Sequence, residues 1–132
     1  MQVFIGGAHN GKRAYVKELL KERAKPNVDW IDGELPSPGD KPVVIAGLEK
    51  WLSNCQLSEE EAIQQVKKAL QNREAIVILT DIGRGIVPME AQQRQLRDTC
   101  GRLYQRLLAE ADEVTRIWYG IPQIIKKRGE MI

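Results

Sequence analysis

Residues 1–15 read MQVFIGGAHNGKRAY. The apolar run MQVFI predicts a short buried strand that ends directly in Gly6-Gly7. From Arg13 the pattern becomes helical: Ala14, Val16, Leu19, Leu20 and Arg23 are spaced for one face, with Lys17, Lys21 and Glu22 outside. Strand, glycine loop and helix, in that order, are the setting a phosphate-binding loop requires. The pattern G-x-x-x-x-G-K-[ST] is met at Gly6, Gly11 and Lys12. It breaks at its last position, where Arg13 replaces the hydroxyl that normally holds magnesium.

A glycine turn between strand and helix lets backbone N–H groups face an anion, with the positive end of the helix behind them. Gly6, Gly7, Ala8, His9, Asn10, Gly11, Lys12 and Arg13 are therefore the candidate nucleotide- or phosphate-binding residues. Lys12 is placed to reach the β- and γ-phosphates as a point charge. His9 is the single histidine and reads as a loop-shaping or phosphate-contacting group rather than a catalytic one. A guanidinium cannot ligate magnesium. Arg13 either points into solvent or contacts phosphate directly in place of the ion.

Downstream, residues 24–42 look irregular, with Pro26, Pro36, Pro38 and Pro42 and glycines at 33 and 39. Trp30 and Ile31 either pin this loop to the body, the plainer reading, or stack on a ligand. PVVIAG at 42–47 predicts a second buried strand, and LEKWLSN at 48–54 a short helix. Ser58 and Glu61 form a capping box that opens a helix carrying Ile63, Val66, Ala69 and Leu70 inward. AIVILTD at 75–81 is an unbroken apolar run, the pattern of a strand covered on both faces in a parallel sheet.

The segment from Met89 to Ala111 predicts a long helix with Leu96, Cys100, Leu103 and Leu107 on its inward stripe. Tyr104 and Leu108 lie beside that stripe, where they can widen it toward a neighbouring subunit. EVTRIWYGIP at 113–122 predicts a last strand on which Trp118 and Tyr119 alternate faces, one of them in the core. Strands alternating with helices imply a single three-layer α/β domain over residues 1–132, its mostly parallel sheet flanked by helices.

Phosphoryl transfer also calls for a carboxylate at the end of a neighbouring strand. Asp81 has the form of an apolar run ending in an acid and is the candidate metal-side or substrate-side group; the alternative is a loop-capping Asp. The 42–47 strand ends without an acid, although Glu49 follows three residues on.

A chain of 132 residues with 42% apolar and 29% charged residues is an ordinary globular composition. Its net charge of +2 argues for neither nucleic acid nor an anionic membrane as partner. Lys126 to Arg128, the densest basic run, reads as a solvated tail. Cys55 and Cys100 show neither zinc spacing nor a disulfide framework, which fits a reducing cytoplasm. MQVFI has the features of neither a signal peptide nor a membrane span.

The stretch GIVPMEAQQRQLRDTCGRLYQRLLAEADEVTRIWYGIP resembles the adenosylcobinamide kinase / adenosylcobinamide-phosphate guanylyltransferase family of cobalamin biosynthesis. The likeness is carried by Gly83, Gly85, Ile86, Val87, Pro88, Arg94, Arg97, Asp98, Gly101, Gln105 and Arg106. It continues through Leu107, Ala111, Asp112, Glu113, Val114, Gly120 and Ile121. The opening resembles the family's G-G-A-R-S-G-K-S at Gly6, Gly7, Ala8, Gly11 and Lys12. WLSN at 51–54 and KPNVDWIDGELP at 25–36 are further similar patches. The resemblance implies a P-loop, RecA-like fold, ATP or GTP as nucleotide, a corrinoid (cobinamide) as second substrate, and a homo-oligomer, commonly a trimer. It also implies two reactions: phosphorylation of cobinamide, then guanylyl transfer through a histidine-linked intermediate.

The departures from that pattern fall on the chemistry. Arg13 replaces the loop Ser, and Ala46 replaces the acid at the end of the second apolar strand, so both usual magnesium anchors are missing. Glu49 stands at the family's Thr, and Thr80 and Asp81 at its Asn and Glu. The segment before KPNVDW is shorter than in the family and lacks the histidine that would carry guanylate. Two readings follow: a reduced kinase using Lys12 and Asp81, or a lapsed relative that binds nucleotide, phosphate or a corrinoid as a binding or assembly protein.

Overall fold

The structure, a computed structural model, describes residues 1–7, 11–23, 27–81, 90–127 and 130–131. The elements run β1 Gln2–Gly6, α1 Lys12–Glu22, β2 Asp29–Asp32, β3 Val43–Ala46, α2 Leu48–Asn54 and α3 Glu59–Leu70. They continue as β4 Ala75–Thr80, α4 Ala91–Glu110, β5 Glu113–Trp118, β6 Ile121–Lys127 and β7 Glu130–Met131. These strands form one sheet in the order β2-β3-β4-β1-β5-β6-β7. The pairs β2–β3, β3–β4, β4–β1 and β1–β5 are parallel, and β5–β6 and β6–β7 are antiparallel.

Alternation along the strands divides the core into two layers, because successive strand side chains point to opposite faces. Val3, Val43, Ile45, Val77 and Leu79 pack on one face beneath Leu48 and Leu52 of α2, Ile63 and Val66 of α3, and Leu103 and Leu107 of α4. Phe4, Val44, Ala46, Ile78 and Ile117 pack on the other beneath Val16 and Leu20 of α1. The domain is thus the three-layer α/β arrangement expected, with helices on both faces of a mostly parallel sheet.

The helices start where the sequence signals them. Ser58 Oγ accepts from the Glu61 N–H at 3.2 Å and donates to its carboxylate at 2.9 Å, capping α3. In α1 the buried stripe is narrower than expected: Ala14 and Arg23 are exposed, and Tyr15 leans on Phe4 with ring centroids 5.7 Å apart. Helix α4 keeps to the predicted span within two residues at its start; Met89 lies outside the described residues. Cys100, Leu103 and Leu107 are buried as expected, and Leu96 is partly buried.

Several expectations are corrected. The 24–42 segment contains an edge strand, β2, whose side chains are mostly exposed, so it carries little of the apolar signal from which strands are read. Lys17 Nζ lies 5.7 Å from the centre of the Trp30 ring, fastening β2 to α1. Arg73 holds the proline-rich loop from the opposite side, donating to Lys41 O at 3.0 Å and Ser37 O at 2.8 Å. The last strand is not one strand but a hairpin. Tyr119 and Gly120 both take positive φ (51° and 75°), as the tight turn of an antiparallel pair demands. Trp118 and Tyr119 are both exposed, at 61% and 75%, so neither is core: Tyr119 sits in the turn itself. Tyr104 is buried, its hydroxyl donating to Thr80 O at 3.1 Å, and Leu108 packs against the core. These two residues therefore do not extend an outer face.

Of the basic run read as a solvated tail, Lys127 is exposed, Arg128 lies outside the described residues, and Lys126 departs from that reading. It is 8% exposed and donates to Leu108 O at 3.2 Å and Ala109 O at 2.7 Å. The last carbonyls of a helix lack internal partners and carry its negative end. Since α4 has no basic residue in its own last turn, Lys126 of β6 supplies that cation from outside. Lys126→Met should therefore lower the unfolding free energy by about 1.5–3 kcal/mol. A denaturant titration should show the midpoint falling with its slope unchanged.

Candidate functional site

In an open α/β sheet, ligands bind beyond the carboxyl ends of the strands, where neighbouring strands send their connections to opposite faces. Here that place lies between β1 and β4. The chain leaves β1 for α1 on one face and leaves β4 for α4 on the other. Gly6, the last residue of β1, is fixed by contact: a Cβ there would lie 2.3 Å from Ile117 O of β5. Its carbonyl accepts the Asp81 N–H at 2.8 Å, which ties the end of β4 to the start of the glycine loop. On the far side of the loop, Gly11 packs against Gly120 of the hairpin turn, the gap between Cα of Gly120 and a Cβ on Gly11 being 3.4 Å.

Gly11 is the N-cap of α1 and has no side chain with which to cap it. The first-turn N–H groups of a helix are open donors unless a side chain or ligand takes them. Lys12, the first residue of α1, is only 6% exposed, and its Nζ donates to Gly7 O at 2.6 Å, closing the loop on itself. Ala8, His9 and Asn10, which the sequence places in this site, lie outside the described residues, as do Gly83, Gly85, Ile86, Val87 and Pro88.

The charges around Lys12 come from three places: α1, α2 and the end of β4. Burial pushes its ammonium below the usual lysine range; the carboxylates of Glu49 and Asp81 oppose that shift, while Arg13 adds to it. Glu49, in the first turn of α2, also acts on α4. Burial, reinforced by Glu49, raises the Cys100 thiol to about 11. The Tyr104 hydroxyl is raised for the same two reasons, with smaller contributions from Cys100 and Asp81. The structure thus couples Lys12 electrostatically to Asp81 and, more strongly, to Glu49. Glu49 was visible in the sequence as the acid three residues past Ala46. It stands in the first turn of α2.

Arg13 does not point into solvent alone. Its guanidinium pairs with Asp32 at the end of β2, NH2 to Oδ2 3.0 Å. Asp32 stands opposite Ala46 in the parallel register. Its Oδ1 lies 2.3 Å from where a Cβ on Gly47 would be, so the residue after β3 must be glycine for the carboxylate to sit there. The two side chains are 50% and 45% exposed, and such a pair contributes only about 0–1 kcal/mol to folding. Its effect is to fix the direction of Arg13.

Magnesium at a phosphate loop is ordinarily held by a hydroxyl next to the loop lysine and a carboxylate at a strand end. Position 13 carries a cation, and buried Ala46 carries no donor. Among the described residues no group of three or more His, Cys, Asp or Glu is placed to hold a metal. The residues present do not fit magnesium in that mode.

A family model described as cobinamide kinase / cobinamide phosphate guanyltransferase matches residues 29–125. The chain belongs to that family. The matched stretch runs from β2 into β6 and leaves out the glycine loop and α1, so the loop stands on its own geometry. A stretch of 69 residues is 42% identical to the bifunctional adenosylcobalamin biosynthesis protein CobU of Salmonella typhimurium (strain LT2). That stretch is 51% of this chain and 38% of the relative, so the chain covers well under half of the relative's length. Among the described residues no helix is long and apolar enough to cross a membrane.

The buried Lys12 sets a pH dependence. Its folded-state pKa lies below the unfolded value of 10.5, so the unfolded chain holds this proton more tightly and stability rises as the proton leaves. The cost of burying the charge is present below the folded pKa and is relieved as pH climbs toward 10.5. Lys12→Met removes the titration. The unfolding free energy of wild type should therefore gain on the variant between neutral pH and pH 10, as read by urea denaturation at each pH.

Proposed function

We propose that this chain binds a nucleoside triphosphate, ATP or GTP, at the carboxyl edge of β1 and β4, and serves cobalamin biosynthesis. The observation that carries the reading is Lys12: a residue only 6% exposed at the start of α1, its ammonium donating to the loop carbonyl of Gly7. A lysine is rarely buried without a partner, and an incoming phosphate is a stronger acceptor than a carbonyl. The open N–H groups of α1 and the loop glycines supply the remaining donors. Gly6, Gly7, Ala8, His9, Asn10, Gly11, Lys12 and Arg13 form the binding set.

Titration calorimetry of the full chain with ATP and with GTP tests this. Both outcomes are informative: saturable binding is expected with at least one nucleotide, and no heat with either would sink the assignment. Lys12→Ala should weaken binding by roughly ten- to a hundredfold, the worth of one charge-assisted contact.

Binding without turnover is the primary reading, because positions 13 and 46 lack the donors that phosphoryl transfer normally uses. Retained cobinamide phosphorylation is the second reading, favoured by Asp81 and Glu49 beside Lys12, and a corrinoid is then the second substrate. Guanylyl transfer through a histidine is lost in either case. Incubation with GTP labelled in the α-phosphate should leave no acid-labile label on the protein, and a covalently labelled chain would contradict this. The exposed apolar residues Trp118, Tyr119, Ile121 and Ile124 of the β5–β6 hairpin are the surface on which a homo-oligomer, a trimer by family likeness, would assemble.

A further inference from the structure

The two positions that fail to fit magnesium are joined by one interaction. Arg13 leaves the first turn of α1, where the metal-binding hydroxyl would be, and reaches the end of β2. There it meets Asp32, register partner of Ala46, the position of the missing strand-end acid. The guanidinium therefore spans the gap between the two places from which a metal would be held. We propose that the Arg13–Asp32 ion pair takes the place of magnesium, so that bound polyphosphate is neutralised by Lys12 and Arg13 and not by a divalent ion. This rests on the nucleotide-site reading above and deepens it.

The physical case has three parts. A guanidinium stays charged at every relevant pH and carries five N–H donors in a planar fork. The carboxylate of Asp32 occupies only part of that fork, leaving donors for phosphate oxygens. Asp32 also orients the fork, and the contact is specified closely: β2 and β3 in register, and a glycine at 47 where any Cβ would strike Asp32 Oδ1. Finally, Arg13 makes the site hostile to a metal while placing a permanent cation and its N–H donors there. A cation at residue 13 and a divalent ion beside it would repel each other across a few ångströms.

The test is calorimetry of the full chain with ATP and GTP, once in EDTA and once in millimolar magnesium. The affinity of the wild type is expected to be the same in both. Arg13→Ser should weaken binding in EDTA about tenfold, and Arg13→Lys should not restore it, because an ammonium lacks the fork. The double variant Arg13→Ser with Ala46→Asp rebuilds both metal anchors, so magnesium should now tighten its binding about tenfold. Thermal melting of each variant establishes that it is folded. Loss of wild-type binding in EDTA, or unchanged binding by Arg13→Ser in EDTA, overturns the proposal. Lys12→Ala separates the two levels. If it leaves binding intact, the nucleotide-site reading falls; if it abolishes binding while the EDTA arm fails, only the magnesium-replacement inference falls.

Discussion

The close approach of β1 to β5 at Gly6 is the constraint on which the site depends. No side chain fits between Gly6 and the Ile117 carbonyl. With glycine there, β1 lies between two parallel neighbours as far as Ile5, and Gly6 stays paired with Thr80 of β4. The Gly6 carbonyl is then free to take the Asp81 N–H. That backbone bond sets where the chain leaves β4, and the turn after β5 brings Gly120 against Gly11. The described ends of the loop are thereby tied, Gly6 to the end of β4 and Gly11 against the β5–β6 hairpin. Any larger residue at position 6 would separate β1 from β5 and move Lys12, Asp81 and the hairpin turn together.

Given that frame, the site is an arrangement of charge at a sheet edge. Lys12 bears the cost of burial and is supported by a carbonyl and two carboxylates of different elements, Glu49 and Asp81. Arg13 pairs with Asp32 while still acting on Lys12, so the two neighbouring cations are held by different partners. The polar edge rests on apolar packing beneath it. Leu48, Leu79 and Leu103 are fully buried under the same strand ends, and Tyr104 links the two layers by reaching Thr80 O from α4.

The elements legible in the sequence are those buried on both sides. QVFI, VVIA and AIVILT are near-continuous apolar runs because helices cover both faces of the central sheet, and each is a strand in the structure. The capping box at Ser58 and the four-three-four spacing in α4 were equally plain, since both are local patterns. Strands β2 and β6 were hidden for the opposite reason. DWID is an exposed edge, and IPQIIKK buries little but Lys126, so neither shows the burial periodicity from which strands are read. Trp118 and Tyr119 misled because apolar rings usually mark a core, whereas here they cap an exposed hairpin.

The order strand, glycine loop, helix and the family likeness of residues 75–122 were determined by the sequence alone. Each is set by neighbours a few positions apart or by a run of identities. The partner of Arg13, the coupling of Glu49 to Lys12 and Tyr104, and the use of Lys126 to close α4 were decided only by the tertiary structure. Each joins a long or charged side chain to a group on another element, Asp32 lying 19 positions after Arg13 and the α4 carbonyls 17 and 18 positions before Lys126. Such a side chain reaches whatever acceptor the fold brings within its length, and strand order, not local pattern, determines which acceptor that is.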